Sequence, residues 1–78
     1  MRYVVWDLIS IHDGYMRTFC ETWNDVVTEV EGLVAHRESH MPSIRAEFNR
    51  WRAGEVDRVE AGDVYEIFVT SEYLNRPL

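Results

Sequence analysis

The sequence predicts an α+β fold: a three-stranded, mainly antiparallel sheet in the order ββααβ, with two helices packed on one of its faces. Three observations carry this. Residues 2–12 and 64–71 are β-branched and aromatic runs of strand length. An Asp13-Gly14 pair follows the first run, the chemistry of a two-residue type I′ hairpin. Between Thr22 and Arg52 the apolar residues recur every three or four positions, the period of helices that bury one face.

In the first run, RYVVWDLISIH, both alternating sets are apolar: Tyr3, Val5, Ile9 and Ile11 on one, Val4, Trp6 and Leu8 on the other. Such a strand is central. Tyr15 to Thr22 is the returning strand. With Asp13-Gly14 as the loop, Ile11 faces Met16, Ile9 faces Thr18, Asp7 faces Cys20 and Val5 faces Thr22. On the other side Ser10 faces Arg17, Leu8 faces Phe19 and Trp6 faces Glu21. A one-residue change in the loop would exchange these partners. Thr22–Glu38 reads as the first helix, striped by Val26, Val27, Val30, Leu33 and Val34. Thr22 with Asp25 resembles a capping box, and Asn24 is a rival cap. Pro42 fits the opening turn of a second helix, with Ser39 or His40 near its cap. Ile44, Phe48 and Trp51 form its stripe and Gly54 its terminator. Glu55 to Asp63 is a polar connection, in which EVDRVE leaves room for a short extra strand. VYEIFVTS, at 64–71, is the last strand; residues 72–78 are a tail that Pro77 keeps out of the sheet. The first strand lies between its hairpin partner and the last strand, whose direction is left open.

The 78 residues make one small domain. A single cysteine, Cys20, excludes an intrachain disulfide and suits a reduced, cytoplasmic setting. The N-terminal run is not a signal peptide, and no stretch approaches the ~20 apolar residues of a membrane span. Fourteen acids against eight arginines give a net charge of −6, which opposes general affinity for nucleic acid or anionic membranes.

Two short helices shelter one face of such a sheet. Val5, Ile9, Ile11, Met16, Tyr65, Ile67 and Val69 are then covered by Val26, Val30, Leu33, Phe48 and Trp51. Val4, Trp6, Leu8, Phe19 and Phe68 are left bare, more than a soluble monomer usually exposes. Burying them is worth several kcal/mol, at ~25 cal/mol per Å² and ~150–250 Å² per ring. The expectation is a small acidic protein-protein interaction module without a cofactor, a homodimer or a stoichiometric regulator or inhibitor of a larger protein. Phage and plasmid accessory proteins, such as inhibitors of host defence, share this brevity and acidity, an analogy of class alone. The partner-binding residues are Trp6, Leu8, Tyr15, Arg17 and Phe19, with Arg45, Asn49 and Arg52 on the second helix as another site.

Other chemistries have weaker support. Arg45, Asn49 and Arg52 fall at i, i+4 and i+7, with Arg50 beside them, as on a phosphate-contacting helix. Salt bridges to the acidic first helix, through Asp25, Glu29 and Glu31, explain the same pattern. His36 and His40 lie four apart, a metal-site spacing if both are helical, but no third ligand is placed beside them from Glu38, Cys20 or His12. Cys20, His12 and Asp7 suggest a nucleophile and base, yet the register sends His12 to the opposite face. Cys20 is more simply a small buried hydrophobe. Asp7 in an aliphatic strand face needs an arginine partner, unless it lies on the exposed side. No convergent set of groups points to catalysis.

Overall fold

A computed structural model describes residues 2–10, 14–61 and 65–71. Among these residues the order is β1 (Tyr3–Ser10), β2 (Gly14–Cys20), α1 (Trp23–Arg37), α2 (Ile44–Arg52), β3 (Arg58–Ala61) and β4 (Tyr65–Ser71). The sheet therefore has four strands rather than three, and the order is ββααββ. The strands lie side by side as β2-β1-β4-β3, every pair antiparallel. The added strand comes from the polar connection. Val59 is buried while Glu60 is exposed and Arg58 half-buried, the alternation of a strand with one covered face. β1 is interior, as its two apolar sets require.

The hairpin register differs from the expected one. Tyr3 opposes Cys20, Val5 opposes Thr18 and Asp7 opposes Met16, so β2 is displaced four residues along β1. The pairing shifts between Asp7 and Ser10, where Ser10 meets Gly14, and Gly14 belongs to the strand rather than to the turn. Ile11, His12, Asp13 and Val64 lie outside the described residues, as do the tail 72–78 and the side chains of Ile9 and Tyr65. Because the displacement is an even number from Tyr3 to Asp7, the residues paired there keep their expected faces.

The core lies between the helices and that face. Val5, Cys20, Val59, Ile67 and Val69 of the sheet pack with Val26, Val30 and Val34 of α1 and Ile44, Phe48 and Trp51 of α2. Met16 was expected among the sheltered residues but is 61% exposed. It sits on the outermost strand, beyond the cover of α1. Val4 departs in the other direction: it points away from the helices yet is buried. Its side chain is short, with Phe19 opposite it and Trp6 two residues on along the same face.

α1 begins as its sequence requires. Thr22 is the cap, extended at φ −128° and ψ 161°, and its hydroxyl accepts a 3.2 Å hydrogen bond from the Asp25 amide. Asn24 lies inside the first turn. α2 starts two residues later than Pro42 suggests, because the Ile44 amide first closes a turn onto the Met41 carbonyl. Ser43 holds the cap position without a side-chain capping bond, in place of Ser39 or His40. Gly54 ends α2 at φ +82°, a left-handed conformation that suits glycine. Its amide bonds the Trp51 carbonyl and the Glu55 amide bonds that of Arg50, the paired bonds of a Schellman turn. No described helix is long and apolar enough to cross a membrane.

Candidate protein-binding face

Both described helices lie on one side of the sheet, and strand alternation assigns the other side. Val4, Trp6 and Leu8 of β1 share it with Tyr15, Arg17 and Phe19 of β2 and with Glu66, Phe68 and Thr70 of β4. Trp6 is the hub. Its ring stacks on Phe68 at 6.1 Å and 9°, and leans on Tyr15 at 5.3 Å and 48°. Its indole N–H donates to the Thr70 hydroxyl at 2.7 Å, which fixes the ring and satisfies its donor. The Arg17 guanidinium stands 6.0 Å from the Trp6 ring and 5.6 Å from that of Phe19, and Arg2 approaches Phe19 from 5.3 Å. The five residues that the sequence nominates for partner binding, Trp6, Leu8, Tyr15, Arg17 and Phe19, thus share one face. Trp6 and Leu8 are half-buried, whereas Phe19 remains 48% and Tyr15 58% exposed.

The exposure follows the strand more closely than the face. Of the four large hydrophobic residues exposed among the described residues, Tyr15, Met16 and Phe19 belong to β2, and Trp23 follows three residues after it. β2 is an edge strand, hydrogen-bonded along one side to β1. Among the described residues no strand pairs with its other side, and an edge of this kind presents a row of backbone donors and acceptors to an added strand. The opposite edge is built differently. β3 is four residues long and carries Arg58, bridged to Glu66 at 2.7 Å, and Glu60. Shortness and charge are the usual protections of an edge, and β2 has only Arg17 in seven residues.

The second helix does not present its arginines as a set. Arg45 is half-buried and bridges to α1, donating to Glu31 at 2.5 Å and to Glu38, while its guanidinium covers the Phe48 ring at 5.5 Å. Arg50 pairs with Glu47 at 2.9 Å. Asn49 and Arg52 remain exposed. The Arg45 hydrogen bond, ahead of its charge, holds the Glu38 carboxyl below the usual carboxylate range. The hydrogen bonds that Arg45 donates to Glu38 and Glu31 raise its own pKa in turn. A carboxylate with a lowered folded pKa adds stability above its unfolded pKa and loses it as pH falls through the folded value. For exposed groups the gain is small and salt-sensitive. Arg45→Gln is expected to return the Glu38 titration, followed by NMR, to the ordinary carboxylate range; an unmoved titration would remove Arg45 as the cause.

α1 ends at Arg37, so His40 falls in the following turn and does not share a helix face with His36. Among the described residues no group of three or more His, Cys, Asp and Glu could hold a metal ion. Cys20 is buried. Burial raises its thiol, and Glu29 and Asp25 raise it further, which disfavours the nucleophilic thiolate. Asp7 opposes Met16 rather than Cys20. It is buried on the helix side, where its Oδ2 accepts from Arg37 at 2.5 Å. Its Oδ1 has no hydrogen-bond donor among the described residues. Sequence reasoning missed Arg37 as this partner. The signal was its place seven residues after Val30 and three after Val34, on the buried stripe of α1.

A concavity on the helix side also went unread. Between the start of α1 and the end of α2 lies an open cleft of about 640 Å³, lined by Trp23, Trp51, Val56, Val69 and the acids Glu55 and Asp57. Compared with protein-family models, curated proteins and solved structures, the chain has no match in any of the three.

Proposed function

We propose that the chain is a small cytoplasmic protein-binding module that docks through the outer edge of β2 and the adjoining aromatic face, and that a second copy of itself is the partner. The observation behind this reading is the concentration of exposed apolar residues, Tyr15, Met16 and Phe19, on the less protected edge of the sheet. A strand edge is complementary to its own copy, since antiparallel pairing about a two-fold axis matches the same row of donors and acceptors. Joining two β2 strands gives one continuous sheet with both helix pairs on the same side, and it draws Tyr15 and Phe19 of each copy out of water. Turned toward a strand of a larger protein, the same edge makes a stoichiometric regulator or inhibitor.

Charge sets the salt dependence. Two copies at −6 repel at long range, so added salt is expected to strengthen the dimer. Nucleic-acid binding through the arginines of α2 would instead weaken with salt. The test is light scattering across a dilution series, for the parent and for Tyr15→Arg combined with Phe19→Arg. Both side chains point to the open face, so circular dichroism should be unchanged. A parent dimer that becomes a monomer in the variant supports the proposal. A parent monomeric throughout, or a variant that still dimerises, refutes it.

A further inference from the structure

The cleft between α1 and α2 is separate from the docking surface, and its lining has a chemistry of its own. Its volume of about 640 Å³ is that of a small-ligand site. The floor is apolar: Val69 and Trp51 are buried and Val56 is half-buried. Trp23 forms a wall and is held from two directions. Its ring meets Tyr3 edge-on at 5.5 Å and 70°, and meets Trp51 at 5.7 Å and 33°. Even so, 47% of Trp23 remains exposed. Beside it Gly54, at φ +82°, brings the backbone past with no side chain, and a Cβ there would meet nothing within 4 Å.

The sign of the charge narrows the ligand. Among the described residues the ionisable lining groups are Glu55 and Asp57, both exposed and both acidic, and none is basic. Among these lining residues an anion therefore finds neither a cationic side chain nor a side-chain donor apart from the indoles. A divalent metal finds too few oxygens, since the Asp57 carboxylate already receives Arg58 at 3.1 Å and 3.4 Å and leaves Glu55 alone. A primary ammonium would set N–H donors against valine and indole carbon, where they lose their hydrogen bonds to water. An alkylated ammonium has few or no such donors. Its methyl groups suit Val56, Val69 and Trp51, and its diffuse charge suits an indole face, the strongest aromatic partner of cations.

We propose that this cleft binds an organic cation of the alkylated-ammonium class, with its head against the exposed part of Trp23 and Glu55 as counter-charge. Two sources share that chemistry: a free quaternary amine and a methylated lysine carried on a peptide.

The test uses the indole N–H signals of the whole chain, with Trp23 assigned through Trp23→Phe and Trp6 as the internal reference. The probes are choline, its neutral isostere 3,3-dimethylbutan-1-ol, a trimethyllysine peptide and the same peptide unmodified. Choline is expected to shift Trp23 saturably and to leave Trp6 in place, with the isostere about tenfold weaker. Glu55→Gln, an exchange at an exposed side chain, should weaken choline while leaving the folded spectrum intact. A trimethyllysine peptide that outcompetes choline, with its unmodified form inert, assigns the cation to a modified protein; the reverse order assigns a small molecule. An absent Trp23 shift, an equal response to the isostere, or choline binding unchanged in Glu55→Gln overturns the proposal.

Discussion

Leucine in place of Arg37 is expected to destabilise the fold by about 3–5 kcal/mol, the cost of leaving one member of a buried ion pair without the other. Asp7 and Arg37 are both buried, and their 2.5 Å contact ties the central strand to the last turn of α1. For a domain of this size the whole stability is roughly 4–12 kcal/mol, at about 0.05–0.15 kcal/mol per residue. Losing this contact therefore removes a large part of it. The carboxylate left behind would face Val5 and Ile67 on the helix side of the sheet with no guanidinium to offset its desolvation. Replacing both members, Asp7→Val with Arg37→Leu, should recover most of the loss, because an apolar pair removes both desolvation costs. Urea unfolding of the parent, the two single variants and the double variant closes this cycle. Additive losses, with the double variant the least stable, would show that the pair is not the unit acting.

Phe48→Ala should cost about 3–5 kcal/mol through the cavity it leaves. Phe48 is among the largest fully buried side chains, and its ring rests on Trp51 at 5.8 Å and 32° under the Arg45 guanidinium. At about 4–8 °C per kcal/mol for a small domain, the melting temperature falls by tens of degrees. Phe48→Leu keeps most of the volume and should cost clearly less. Calorimetry that finds the two variants equal would show that the site collapses around the missing ring. The alanine variant also takes away the backing of Trp51, which forms part of the floor of the acidic cleft.

What the sequence disclosed, and what it withheld, follows from the range of the forces involved. Local rules placed α1 to within its caps, because Thr22 and the Val26–Val30–Val34 stripe are settled by neighbours three and four residues away. Face assignment survived a wrong hairpin register for a geometric reason: a strand repeats every two residues, and the displacement was four. β3 was left open in the sequence because four residues with charges at Arg58 and Glu60 resemble a loop until β4 lies beside them. The aromatic face was legible, since counting the sheltering surface of two helices needs only composition and pattern. The partition of exposure onto β2 was not, because it depends on which strand is outermost. The same holds for Arg45. Its spacing with Asn49 and Arg52 suggested a basic surface, whereas packing of α1 against α2 set Glu31 and Glu38 within its reach.

The placement of β1 governs how the chain can be assembled during synthesis. Its partners are β2, which emerges from the ribosome straight after it, and β4, whose Thr70 hydroxyl is joined to the Trp6 indole across 64 positions of chain. Until residues 65–71 are out of the tunnel, the nascent sheet is a two-stranded ribbon, marginal in water by itself. Completion thus waits on the pairing of β1 with β4, the kind of long-range closure that slows folding relative to helical domains of similar size.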